Sequence, residues 1–255
     1  LAREGEVDAI VALGNTAAAV GSARLTLRHL DGVHRAGIAV PMPTVNGGVC
    51  VVIDMGATID AQPKHLYTYG IMAEAYSRLV MGVEKPRVGL LNVGEEEGKG
   101  SDIQKETAAL LAKAPLNFQG NAEGRDIFRG NFDVIVCDGF VGNAVLKACE
   151  ETAETLLHWV KDAIITTSWL TKLGGWLCKP AFRKVKQKSS YDRHGGAPLL
   201  GVNGVCIIGH GRSNAIAVKN ALRVARESVA KGLNESIRSS LEQVRAASGD
   251  GAAEE

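Results

Sequence analysis

Apolar and polar positions recur along this chain in a fixed order: a short apolar run, a polar turn, then a longer stretch with helical periodicity. Residues 7–13 form the first run, closed by Gly14, Asn15 and Thr16 and followed by an alanine-rich helical stretch to about Leu30. The run 49–53 ends at Asp54, Gly56 and Thr58 and precedes a helix expected over 67–81. Residues 88–91 repeat the order and stop at Asn92. After the loop GEEEGKG, Ser101 and Gln104 have the spacing of a capping box for a helix over 102–113. Further apolar runs occupy 116–118, 134–137 and 204–208, the last leading into Gly209, His210, Gly211, Ser213 and Asn214. Beyond it, Val218, Leu222, Ala225, Val229, Leu233, Ile237 and Leu241 mark one face of a single long helix.

Runs that are apolar throughout suit strands buried on both faces, so the pattern predicts an α/β fold: a mostly parallel sheet with helices on either side. One domain over 1–247 is expected, with a small acidic, disordered tail over 248–255. Ligands of such sheets bind beyond the carboxyl ends of the strands. Asn15, Asn92, Asn143 and Asn214 all follow strands, which favours a polar cleft at one rim, although asparagine also serves turns and helix caps.

The centre of the pattern is DVIVCDGFVGNAVLK, residues 133–147. A buried strand runs to Asp138, a glycine turn covers 139–143, and a helix starts at Ala144. Glycines let the backbone approach a ligand, and the first amides of a helix can receive an anion. The stretch is therefore either half of a phosphate site or a tight strand-to-helix turn without a ligand. The loop 94–101 does not fit the nucleotide P-loop, because three residues separate Gly94 from Gly98 and the three glutamates between them would repel phosphate. Lys99 in that loop is either solvated or at a cleft.

Composition narrows the partners. With 29 basic and 28 acidic residues the net charge is +1, which gives no general reason to bind nucleic acid. The five cysteines contain no CxxC pair, and Cys50, Cys137 and Cys206 sit inside apolar runs, as small buried hydrophobes of a reducing compartment. Residues 36–53 carry no charge, but Pro41, Pro43 and Gly47 break them, so a membrane span is not expected. Leu1 in place of a starting methionine suggests a fragment or a processed form.

Residues 163–190 differ from the rest: Lys172, Lys179, Arg183 and Lys184 alternate with Trp169, Leu170, Leu173, Trp176 and Leu177, without an acidic residue. A helix from 144 to about 166, a turn near Gly174 and Gly175, and a helix from Pro180 would make a protruding hairpin over about 144–190. Its apolar, basic tip suits either an anionic membrane surface or a second subunit.

LNVGEEEGKG, NAEGRDIFRGNFDVIVCDGFVGNAVLK and GGAPLLGVNGVCIIGHGRSNAIAVKNA closely resemble the phosphate acyltransferase family PlsX, as does DMGATIDAQPKHL. The resemblance implies a Rossmann-like α/β/α sandwich akin to phosphotransacetylases and isopropylmalate dehydrogenases. It also implies an acyltransferase that makes acyl phosphate from acyl carrier protein thioesters and inorganic phosphate for phospholipid synthesis. With it come a homodimer in the cytoplasm, peripheral association with the inner face of the cell membrane, and delivery to a membrane glycerol-phosphate acyltransferase. The sequence departs from the family at three places. The usual first strand and helix, with an aspartate and glycine-rich motif, do not precede Leu1; GNTAAA replaces GNTGA; and His194 stands where tyrosine or phenylalanine is usual.

This chemistry needs no triad, metal or cofactor. Phosphate is already a nucleophile, and a thiol with a pKa of about 8.5 leaves without a strong acid, so the protein has to position and to stabilise an oxyanion. Lys99, Asn143, His210 and Asp138 are the candidate catalytic residues, with Lys99 and the 139–143 turn holding phosphate and His210 or Asn214 donating to the thioester. Asn15, Thr16, Asp54 and Gly56 line the expected cleft, as do Asn92, Gly139 and Gly142. A short-chain phosphotransacetylase using coenzyme A and a non-catalytic membrane-bound scaffold for carrier protein are the alternatives. A dehydrogenase is disfavoured, since no GxGxxG follows a strand.

Overall fold

Alternate residues of each strand enter different cores, which is why the apolar runs are continuous. Val51, Ile53, Val134 and Val136 join one cluster, while Cys50, Val52, Ile135 and Cys137 join the other. The computed structural model describes residues 1–189, 195–211 and 213–248. Its strands are β1 (Ala9–Leu13), β2 (Gly37–Pro43), β3 (Val49–Ile53), β4 (Arg87–Leu91), β5 (Asn117–Ala122), β6 (Val134–Val136), β7 (Ala197–Leu200) and β8 (Val205–Gly209). They form one sheet in the order β1-β8-β7-β2-β3-β6-β4-β5.

Helices cover both faces. One layer contains α2 (Pro63–Leu79), α3 (Asp102–Lys113), α8 (Ala215–Ala230) and α9 (Leu233–Ser248), which bury Tyr69, Tyr76, Leu111, Val224 and Ile237. The other contains α1 (Thr16–Leu27), α4 (Asp126–Arg129) and the start of α5 (Gly139–Thr167), contributing Val20, Leu27 and Ile127 and the half-buried Leu146. This is the α/β/α sandwich expected, and four of the seven described strand pairings are parallel.

The other three pairings, β2 with β3, β2 with β7, and β7 with β8, are antiparallel, and they change the position of the rims. Following the pairings across the sheet, β1 and β8 run opposite to β3, β6 and β4. Asn15 and Asn214 therefore stand at one rim and Asn92 and Asn143 at the other, which corrects the expectation of a single polar rim. Neither β2 nor β7 is marked by the sequence pattern. The ladder from β2 to β7 is confined to Gly37 and Ile38, so Pro41 and Pro43 occupy a strand beyond the point where amides on that side are required.

Four local expectations are also corrected. Residues 139–143 are the first helical turn of α5, because Asp138 supplies an N-cap directly after β6. Ser101 gives its hydroxyl to the Gln104 side chain, and no capping box forms. Gly174 and Gly175 lie within α6 (Trp169–Leu177); the breaks fall at Ser168, a true capping box with Thr171, and at Cys178, before α7 (Lys179–Ser189). The long C-terminal helix is two helices, divided at Gly232, whose φ of 60° lies in the left-handed region that favours glycine. The expected tail lies outside the described residues from 249 onward, and His194 lies outside them too.

Asp133 locks the entries of β4 and β6 together. It accepts from the Arg87 backbone amide at 2.8 Å and from the Arg87 guanidinium at 2.9 and 3.0 Å. Burial alone would raise its carboxyl, yet the Arg87 bonds prevail and hold it below the usual range. A depressed value contributes stability above the unfolded carboxyl pKa and loses it as pH falls through the folded one. Asp133→Asn should cost about 1 kcal/mol in urea unfolding at pH 7, and that gap should shrink as pH is lowered below about 4. A gap independent of pH would contradict this account.

Candidate active site

Asp54 stands where β3 ends, fully buried, and its two oxygens take four backbone amides. Oδ1 accepts from Ile38, Gly56 and Ala57 at 2.9, 3.0 and 2.9 Å, and Oδ2 accepts from Thr58 at 2.7 Å. Burial pushes the carboxyl up to about 6, while the four amides pull it down. At neutral pH it is an anion clamped by its own loop, so it acts in the framework of the site and offers no free surface to phosphate.

The loop that Asp54 winds is the floor on which α5 starts. Gly139 donates its amide to the Thr58 carbonyl at 2.9 Å. A Cβ on Gly139 would sit 2.6 Å from that oxygen, and one on Gly142 would collide with the Asp54 carbonyl oxygen. These glycines are thus required by backbone packing. The remaining amides of the first turn are also committed: Phe140 and Val141 donate to Asp138 Oδ1 at 3.0 and 2.9 Å, and Gly142 to the Asp138 carbonyl at 2.9 Å. The expectation that this turn receives phosphate through its amides is corrected, because Asp138 and Thr58 already occupy them.

What the packing exposes is Asn143, next on the helix and level with Gly56, whose φ of 126° needs glycine. Both line a cavity of about 250 Å³ that crosses the sheet face. Its apolar floor is Ile38, Val40, Met55, Leu146 and Ile208, and at the far end are Thr16 and His210, from the turns after β1 and β8. Residues from opposite rims meet because β2 and β7 lie between the two oppositely running halves of the sheet. Lys147 and Glu150, on the α5 face below Asn143, complete the wall; Glu150 is 3.7 Å from His210 Nε2 and 3.5 Å from Lys147 Nζ.

The other candidates stand outside this cavity. Asn15 and Asn214 cap α1 and α8, accepting from Ala18 and from Ile216 and Ala217. Asn92 closes the acidic loop by donating to the Lys99 carbonyl at 3.0 Å and accepting from Val93 at 2.8 Å. Lys99 is exposed on that loop, at the same rim as Asn143 but not in the cavity wall. The pattern also passed over the apolar floor, Lys147 and Glu150. The spacing of Asn143, Lys147 and Glu150, four and three residues apart on one helix face, is the signal that could have found them.

A family model described as "Fatty acid synthesis protein" matches residues 1–236. The phosphate acyltransferase of Pelotomaculum thermopropionicum is 49% identical over 244 residues, covering 96% of this chain and 71% of that protein. The phosphate acyltransferase of Geobacter sulfurreducens is 45% identical over 242 residues, covering 95% and 69%. Among solved structures, the EutD phosphotransacetylase from Staphylococcus aureus aligns with a TM-score of 0.58 at 16% identity, covering 90% of this chain and 65% of that one. A phosphotransacetylase from Streptococcus pyogenes gives 0.58 at 17%, again over 90% and 65%. At such identities the structural likeness is one of fold.

Asp54→Asn keeps three acceptor bonds and turns an amino group toward the Thr58 amide, a donor facing a donor. Stability should fall by about 2 kcal/mol, read from urea unfolding. A loss within about 0.5 kcal/mol, the range of neutral surface changes, would contradict the clamp.

Proposed function

The chain belongs to the phosphate acyltransferase family of fatty acid synthesis proteins, and on that premise we propose that its cavity is where inorganic phosphate attacks an acyl thioester of acyl carrier protein. The observation that carries this reading is that one cavity combines an apolar floor with Thr16, Asn143 and His210. The floor suits a fatty acyl chain, and the polar ends suit its activated head. Asn143 donates to the phosphate or to the oxyanion, and His210 serves the leaving sulfur. Lys99, on the flexible stem of a lysine above the Asn143 rim, steers phosphate inward.

The product is acyl phosphate for phospholipid synthesis, passed to a glycerol-phosphate acyltransferase in the membrane. The hairpin supports delivery there. Helix α5 spans 29 residues, about 40 Å, and beyond Glu150 it leaves the body of the protein. Trp159, Trp169 and Trp176 are 63, 72 and 67% exposed, and Leu170, Leu173 and Leu177 are exposed beside Lys172 and Lys179. A groove of about 410 Å³ on the hairpin is apolar at Val160, Ile164 and Phe182 and basic at Lys161, Lys179 and Arg183. No helix among the described residues is long and apolar enough to cross a membrane. The hairpin rests on an anionic bilayer from one side, cytoplasmic and peripheral, and a homodimer presents two such hairpins to it.

Thiol release from acyl carrier protein thioester and phosphate tests the reaction. Asn143→Ala should lower kcat roughly 100-fold, and Lys99→Ala should raise the phosphate KM roughly tenfold. Unchanged turnover in Lys99→Ala and His210→Ala would remove these assignments. Faster release from coenzyme A thioesters than from the carrier protein would favour a short-chain phosphotransacetylase. Replacing Trp169, Leu173 and Trp176 with serine should abolish sedimentation with anionic vesicles and leave soluble turnover within about twofold. Sedimentation that persists would contradict the membrane contact.

A further inference from the structure

Among the described residues that line the cavity, Glu150 is the only acid, an unexpected group in a site for a phosphate dianion. It lies seven residues after Asn143, two helical turns and about 10 Å along α5 on the same face. The two residues thus mark opposite ends of the cavity. Around Asn143 stand Met55 and Gly56, the latter bonded to the amide-clamped Asp54; around Glu150 stand His210 at 3.7 Å and Lys147 at 3.5 Å. A carboxylate at that end attracts an imidazolium and an ammonium.

We propose that Glu150 is a positioning residue that gives the cavity a direction. Its carboxylate holds the His210 ring where the thioester sulfur leaves. Lys147 turns the carboxylate toward the ring from the preceding turn of α5. This rests on the cavity being the site of acyl transfer. In the step it organises, a phosphate oxygen bonds to the carbonyl carbon and the carbon–sulfur bond breaks with its electron pair on sulfur. His210 gives a proton to that sulfur, and the proton released from hydrogen phosphate returns to the imidazole through solvent. Acyl phosphate and free thiol are the products.

The test is thiol release by the purified protein from two thioesters of one fatty acid, an alkyl thioester whose departure is helped by a proton at sulfur and a nitrophenyl thioester whose more acidic thiol leaves unaided. Glu150→Gln should lower kcat roughly 30-fold on the alkyl ester and less than about threefold on the aryl ester, and His210→Ala should follow the same pattern. The phosphate KM should stay within about twofold, since the change is at the leaving-group end. Equal losses on both esters, no loss on either, or a raised phosphate KM would overturn the role of Glu150. If wild-type protein released no thiol from acyl carrier protein thioester or from either ester, the cavity itself would be misassigned, a different failure. Should Glu150→Gln not fold, Glu150→Asp, which withdraws the carboxylate from His210 while keeping its charge, carries the same comparison.

Discussion

A buried carboxylate that accepts four amides is the constraint from which this site follows. An anion at the end of β3, away from water, is tolerable only if donors surround it, and the chain supplies them by winding residues 56–58 back over Asp54 and lending the Ile38 amide from β2. That winding fixes the Thr58 carbonyl, which takes the Gly139 amide and thereby fixes the origin of α5. Glycine at 139 and 142 lets the helix settle against the loop. The position of Asn143 is then determined by backbone packing at the start of α5.

The second constraint is topological. Strands β2 and β7 reverse the sheet between its two parallel halves, so the turns after β1 and β8 point away from those after β3, β6 and β4. A site confined to one rim could draw on only one of these groups. A cavity lying across the face, over Val40 and Ile208, draws on both and gains an apolar floor from the strands themselves. This suits a substrate with a long apolar chain and a polar head. Helix α5 continues the same logic outward: its first three turns line the cavity, and its remainder carries the exposed tryptophans and lysines of the hairpin. One helix thus links the cavity with the hairpin.

Much of this was legible in the amino-acid pattern. The strands at 49–53 and 88–91 and the helix at 102–113 stand where the apolar spacing puts them, and Thr16, Gly56, Asn143 and His210 do share a cavity. The failures have physical causes. Proline at 41 and 43 signals a broken strand unless the neighbouring ladder is known to end before it. A run DGFVGN reads as a loop because glycine is a poor helix former, and only the tertiary approach of Asp54 explains why glycine is needed inside the first turn. The marked face holds in full only beyond Gly232, where Leu233, Ile237 and Leu241 are buried; in α8 Leu222 and Val229 are exposed, and Ala217, Ala221 and Val224 face the core with Ala225, so the periodicity concealed both the break and the change of face. Strand direction leaves no trace in hydrophobicity, so the division of the asparagines between two rims was not available from sequence. Glu150 was passed over because a lone glutamate on a helix is ordinarily solvated.

The central claim is that acyl group and phosphate meet in the cavity between Asn143 and His210. It is tested most directly by a crystal structure with a long-chain β-ketophosphonate, in which a methylene replaces the bridging oxygen of the product and prevents hydrolysis. The account predicts the phosphonate beside Asn143, the carbonyl between Asn143 and His210, and the chain over Ile38, Val40 and Ile208. A phosphonate bound at the acidic loop near Lys99 or in the hairpin groove, with Asn143 and His210 untouched, would contradict it.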